Sequence, residues 1–248
     1  MKPHKVEAWL HTRKDQPDYE QQVGKICELY RQAPALHVQR IHVVSVDEKT
    51  GIQALERLAR TPMKAHQVAR QDCEYIRHGT PCLIANLEIA PGKIRQPTVQ
   101  NTRTEQDFVT HIHQTVASAP TEQWIFIVDQ LNTHKSASLV EYIAEACGLD
   151  EERGVKGKCG VLQSMETRMN FWSDPPHRIR FVYTPKHASW LHQIECGFSH
   201  LLRRLSVSSK EKLRELILAY IEYHNRVSAK PFQMALSWKW KIGPLIEG

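Results

Sequence analysis

The stretch WIFIVDQLNTHKS, Trp124 to Ser136, decides the reading of this chain. Residues Trp124 to Val128 form an unbroken apolar run with β-branched isoleucine and valine, the pattern of a strand covered on both faces. Asp129 then stands where that strand emerges. Strand ends of an open α/β sheet are where side chains escape the core while the backbone stays rigid, so reactive groups collect there. His134 and Lys135 follow in a Thr-His-Lys-Ser turn, which either caps a helix or touches a bound anion.

Two other acids repeat the placement. Ile41, Val43 and Ser45 alternate with His42, Val44 and Val46, so Asp47 closes a strand-like run and projects on the side of Ile41 and Val43. After a strand at 180–183 the chain breaks at Pro185 and the polar Lys186 to Ser189. Trp190 to Leu205 then reads as a helix with Ser189 as its N-cap. At about 100° per residue its apolar side chains fill an arc of roughly 120°. Glu195 lies at the edge of that arc, facing the protein body. Taken singly, each acid has an ordinary reading: a turn former or cap after a strand, or for Glu195 a partner of Lys135 or Arg203. Together, hard oxygen donors from three separate elements suit Mg²⁺ or Mn²⁺, completed by water and substrate phosphate oxygens. Two such ions about 4 Å apart would activate a water or a 3′-hydroxyl for in-line phosphoryl displacement.

The order of elements points to an α/β fold. Tyr19 to Arg31 has helical spacing, strands are expected at 41–47, 51–56 and 81–90, and Pro91-Gly92 turns into an extension at 93–98. Helix 105–117, strand 124–129, helix 138–147, strand 180–183 and a closing amphipathic helix 209–224 follow. Its Leu213, Leu216, Ile217, Tyr220 and Ile221 are expected to face inward. Three antiparallel strands and then parallel ones, with intervening helices, predict a mixed sheet flanked by helices. The expected organisation is a lead-in helix and linker at 1–36, a core at 37–208, and a C-terminal helix with a basic, aromatic tail at 209–248. The core would carry a polar insertion at 149–177, expected to act as a lid or arm.

Composition agrees without deciding. The 248 residues carry a formal charge of +6, which favours polyanion contact. Basic residues gather at Arg203, Arg204, Lys210, Lys212 and Arg214, and Lys239 and Lys241 alternate with Trp238 and Trp240. They read either as a solvated face and a core cap or as a phosphate track and stacking platform. Six cysteines without a C-x-x-C pair fit reduced thiols, and His111-x-His113 lacks partners at zinc-site spacing. No apolar run reaches the roughly 20 residues needed to span a bilayer, and Met1 to Arg13 has no signal-peptide core. The expected location is the cytoplasm, in association with the nucleoid.

The blocks VDEKTGIQALER, VDQLNTHKS, YTPKHASWLHQIECGF and YHNRVSAKPF, in that order between about Trp9 and Phe232, resemble successive signatures of bacterial insertion-sequence transposases of the mariner-like DDE superfamily. The resemblance implies an RNase H-like, integrase-type catalytic core with Asp47, Asp129 and Glu195 as catalytic and metal-binding triad, two Mg²⁺ or Mn²⁺ ions as cofactors, and DNA as partner. It implies cleavage at terminal inverted repeats, joining of 3′-hydroxyls to target DNA, and a homo-oligomer in the synaptic complex. His134, Lys135, Lys186, His192, Arg203 and Arg204 are the expected DNA contacts. The chain is expected to lack a full N-terminal helix-turn-helix region. It departs from the family at Gln130 and His192, where the family has Asn, and at Gly197, where it has Trp. A catalytically decayed remnant that only binds DNA or a partner is the alternative these departures imply.

Overall fold

The computed structural model describes residues 18–57, 74–150, 152–186, 188–201 and 207–231. Its elements are α1 (Tyr19–Val38), β1 (Ile41–Lys49), β2 (Leu55–Arg57), β3 (Tyr75–Arg77), β4 (Cys82–Glu88), β5 (Lys93–Gln100), α2 (Glu105–Ala117), β6 (Gln123–Val128), α3 (Ala137–Cys147), α4 (Met165–Trp172), β7 (Ile179–Tyr183), α5 (Ile194–Leu201) and α6 (Lys210–Tyr223). Five strands form one mixed sheet in the order β5-β4-β1-β6-β7. β4 runs antiparallel to both β1 and β5, while β1, β6 and β7 are parallel. This is the RNase H-like mixed sheet that the sequence predicts.

Period-2 alternation sorts the central strands between two cores. Val44 and Val46 of β1 and Trp124, Phe126 and Val128 of β6 pack with α2, α3 and α4. Val43, Ile125 and Ile127 face the opposite way, against Val23, Ile26, Tyr30 and Ala33 of α1. A third cluster seats Ile194 and Phe198 of α5 and Leu213, Ile217 and Ile221 of α6 over Leu83, Ala85, Ile94 and Val99. Tyr220, expected inward, is 38% exposed.

Three expectations need correction, and the insertion is seen to contain a helix. Helix α1 runs through Pro34 to Val38 instead of ending at Arg31, because Ala33 packs inward and the Tyr30 hydroxyl donates to the Leu191 carbonyl at 2.7 Å. The strand expected at 51–56 shrinks to β2, paired among the described residues with β3 and not with the main sheet, and β5 is the third antiparallel strand of that sheet. Gly51 bends the chain at φ +66°, and Ile52 and Ala54 then donate backbone hydrogen bonds to Pro81 and Gly79. The insertion carries α4, begun by a Ser164/Thr167 capping box, and Trp172 is wholly buried against Phe181 and Tyr183. Finally, the helix expected from Trp190 is a short 3₁₀ turn at Ser189–Leu191 followed by α5, so Ser189 opens that turn instead of capping a long helix. That break lets both Leu191 and His192 point inward, which adjacent residues about 100° apart on one helix would not do as well. It also leaves Trp190 45% exposed.

Away from Asp47, toward the start of β1, a buried ionic network ties the sheet together. His42 Nδ1 and Nε2 lie 2.5 Å from Glu88 Oε1 and Glu122 Oε2, and Arg95 pairs with the other Glu88 oxygen. The His42 ring stacks on Trp124 at 4.2 Å between centroids. His37, His42 and Glu88 also gather ligand atoms within 4.8 Å, but a protonated His42 with Arg95 already balances two carboxylates.

Gly92 closes the β4–β5 turn at φ +65°, and a Cβ there would collide with the Lys230 backbone carbonyl. Asn225 secures the same junction through both its amide groups, to the Ile94 N–H at 2.8 Å and carbonyl at 2.7 Å. Gly92→Ala is expected to cost about 1 to 3 kcal/mol in urea denaturation. A change below about 0.5 kcal/mol would refute this closure of the turn.

Candidate active site

The last parallel rung between β1 and β6 pairs Ser45 with Ile127. Asp47 and Asp129 each follow two residues later, so the sheet brings them to one end side by side. The backbone N–H of Ile194 donates to Ser45 Oγ at 3.3 Å, which pins the start of α5 over β1 and places Glu195 at the same end. Ligand atoms of Asp47, His192 and Glu195 lie within 4.8 Å of one another. Glu195 itself is exposed, at the mouth of the site instead of packed against the protein body.

The charges interact as close neighbours. Burial pushes the Asp47 carboxyl up to about 7; a hydrogen bond from the Glu48 N–H opposes this, and the Asp129 charge adds to it. Glu195 is raised by partial burial and by Asp129, with Lys49 opposing. Asp129 goes the other way. Burial would raise it, but His134 at 2.8 Å holds it below the usual range.

His134 is a fully buried ring between two acids, with Nε2 3.1 Å from Glu48 Oε2 and Nδ1 2.8 Å from Asp129 Oδ1. Burial favours its neutral form, yet the two carboxylates outweigh burial and lift it to about 9. It therefore acts as an internal cation that steadies Asp129, and with no exposed surface it has no route to a phosphate. Its turn is fixed from two sides: the Tyr183 hydroxyl donates to the His134 carbonyl at 2.6 Å and Arg168 donates to the Lys135 carbonyl at 2.9 Å. The helix of the insertion thus buttresses the candidate site.

Lys135 is almost buried, donates to Gln130 Oε1 at 2.6 Å, and is lowered by burial and by the nearby Lys186. Gln130 Nε2 donates to the Thr184 carbonyl at 2.7 Å, so this amide braces the loop after β6. Lys186 is exposed beside the site. Arg203, Arg204 and the Trp238 to Lys241 tail lie outside the described residues. His192 is 1% exposed, with Nδ1 3.7 Å from Asp47 Oδ2. Burial lowers it, and the Asp129 charge, with smaller help from the backbone at Ile127 and Val46, offsets this only in part.

Sequence reasoning passed over Glu48, although the signal was present. It shares the parity of Val44 and Val46, hence the face of β1 packed on α2, α3 and α4, and its side chain is 2% exposed. An acid on an inward face requires a buried cation.

The family description "DDE superfamily endonuclease" matches residues 42–217. The chain is similar in fold to a pre-cleavage Mos1 transpososome, at 11% identity and a TM-score of 0.50, covering 88% of this chain and 59% of that one. It is similar again to a Mos1 transposase paired-end complex with left transposon end, at 12% identity and 0.50, covering 88% of this chain and 58% of that one. The chain therefore spans less than two thirds of the length of these structures. No curated protein matches it.

Proposed function

Because the chain belongs to the DDE superfamily endonucleases, we propose that it is the catalytic part of a transposase that cuts DNA at transposon ends and joins the freed 3′-hydroxyls to target DNA. The observation that carries this reading is the convergence of Asp47 and Glu195, with Asp129 coupled to both, at one end of the sheet. Asp47 and Glu195, both held above their ordinary range, mark a place short of positive charge, which fits bound Mg²⁺ or Mn²⁺. Divalent ions there supply Lewis-acid charge to a water or 3′-hydroxyl and to the leaving oxygen, two ions being the usual number for such displacement.

The protein side of the mechanism follows from its contacts. Asp47 is fixed by the rigid β1 backbone and the Glu48 N–H. Asp129 is kept ionised by His134, and so stays a strong oxygen donor at neutral pH. Glu195, exposed at the mouth, is free to ligate and to receive a proton. Lys186 offers an exposed charge for the DNA backbone. The similar Mos1 structures are a transpososome and a paired-end complex with a transposon end, which supports DNA ends as partner; a homo-oligomer as the working assembly is part of the proposal. Among the described residues no helix is long and apolar enough to cross a membrane.

One observation favours the decayed alternative. At Gly197, where the resembling transposases carry Trp, nothing among the described residues lies within 4 Å of the position a Cβ would take. Incubating the protein with a duplex bearing the inverted repeat that flanks its gene separates the two readings. The active reading expects Mg²⁺-dependent nicks that EDTA abolishes, followed by joined products with target DNA. Binding without any product would establish the remnant instead.

A further inference from the structure

The two ring nitrogens of His192 have different surroundings. Nε2 lies 3.3 Å from the Ile127 carbonyl, which only accepts, so Nε2 carries the ring hydrogen. Nδ1 is then left with its lone pair, meets no hydrogen-bond partner among the described residues, and lies 3.7 Å from Asp47 Oδ2. Two electron-pair donors face each other across that gap inside a buried corner. The distance is too long for a hydrogen bond. It is near the separation of two atoms on one cation, about 3.0 to 3.4 Å for octahedral to tetrahedral angles at bond lengths of about 2.1 Å. Glu195 adds a third ligand atom within 4.8 Å.

Resting on the metal-site reading above, we propose that His192 is itself a metal ligand, and that Asp47, His192 and Glu195 form a mixed nitrogen and oxygen set selecting a transition-metal ion over Mg²⁺. Mg²⁺ prefers oxygen donors throughout, whereas an imidazole nitrogen adds most to ions such as Co²⁺ and Zn²⁺. The resembling transposases place Asn at this position, an oxygen donor of different reach. The ring is also well prepared for ligation. Its hydrogen bond to Ile127 fixes tautomer and orientation as outer contacts of metal-bound imidazoles do, and burial at 1% exposure keeps it from competing water.

The test uses the full chain and reads binding. Co²⁺ titration by visible absorption, Mg²⁺ competition, and nitrogen modulation in the electron spin echo of bound Mn²⁺ are measured for wild type, His192→Asn and Asp47→Asn. The expected result is a loss of Co²⁺ affinity of about tenfold or more in His192→Asn, with a smaller change for Mg²⁺ and loss of the nitrogen modulation. Unchanged Co²⁺ affinity and modulation in His192→Asn, with binding abolished in Asp47→Asn, would overturn the role of His192 and leave the carboxylate site standing. Binding untouched by either substitution would overturn both. The modulation in wild type needs no variant, so its absence refutes the proposal even if His192→Asn fails to fold.

Discussion

Replacing Asp47 by asparagine is expected to lower DNA cleavage by about 10³-fold or more while making the metal-free protein more stable. Both effects come from one carboxylate. Asp47 is 16% exposed at its side chain and is held at about 7 against an ordinary 3.8, through burial first and the Asp129 charge after it. A group that binds its proton more tightly when folded favours folding at low pH. The penalty appears as pH rises past 3.8 and is complete above about 7. At pH 8 in chelator, Asp47→Asn removes that penalty, and a gain of about 1 to 3 kcal/mol is expected, allowing for the side chain's remaining access to water. Added Mn²⁺ should reverse the order, raising the melting temperature of wild type and leaving the variant where it was. A variant that cuts at the wild-type rate, or that is less stable than wild type in chelator, would show that Asp47 is an ordinary structural acid.

The cost of holding Asp47, Asp129 and Glu195 together explains which parts of the site were legible beforehand. Strand parity carried much of it. The run Trp124 to Val128 emerges as β6, and the alternation from Ile41 puts Asp47 on the side of Val43. Helix 105–117 also appears with the bounds its polar and apolar spacing implied. What escaped was whatever distant contacts decide. Helical spacing is legible only from Tyr19 to Arg31, yet Tyr30 reaching Leu191 keeps α1 going through Pro34 to Val38. Trp190 reads as the start of an amphipathic helix, yet inward placement of Leu191 and His192 delays α5. His134 read as a phosphate contact or a capping turn because its two acidic partners come from β1 and from the end of β6, and nothing local shows them closing around it. His192 stood out only as an odd residue beside a glutamate; its free nitrogen toward Asp47 becomes visible once Ile127 claims the other.

The second large effect lies in the network at the start of β1, and it is one of stability. Glu88 is 0% exposed at its side chain and His42 5%, so neither ion has water to fall back on. Burial would lower His42, but its bonds to Glu88 and Glu122 raise it; burial would raise Glu88, but His42 and Arg95 hold it down. The two shifts set opposite edges of one pH window. The contribution of His42 is complete below its ordinary 6.5 and is lost as pH rises through its raised folded value. That of Glu88 is complete above its ordinary 4.5 and is lost as pH falls through its lowered one. Between 4.5 and 6.5 both act in full. His42→Ala is therefore expected to cost about 3 to 5 kcal/mol in urea denaturation at pH 5.5, because Glu88 loses its closest histidine and keeps only Arg95 and the more exposed His37, and the stack on Trp124 is lost. Above the raised His42 value the cost should shrink toward that of the missing ring alone. Glu88→Gln should lose less than His42→Ala, since a neutral amide can stay buried where an unpaired carboxylate cannot. A cost for His42→Ala that is below about 1 kcal/mol, or that does not change with alkaline pH, would mean that the ring is held by packing and not by its acids.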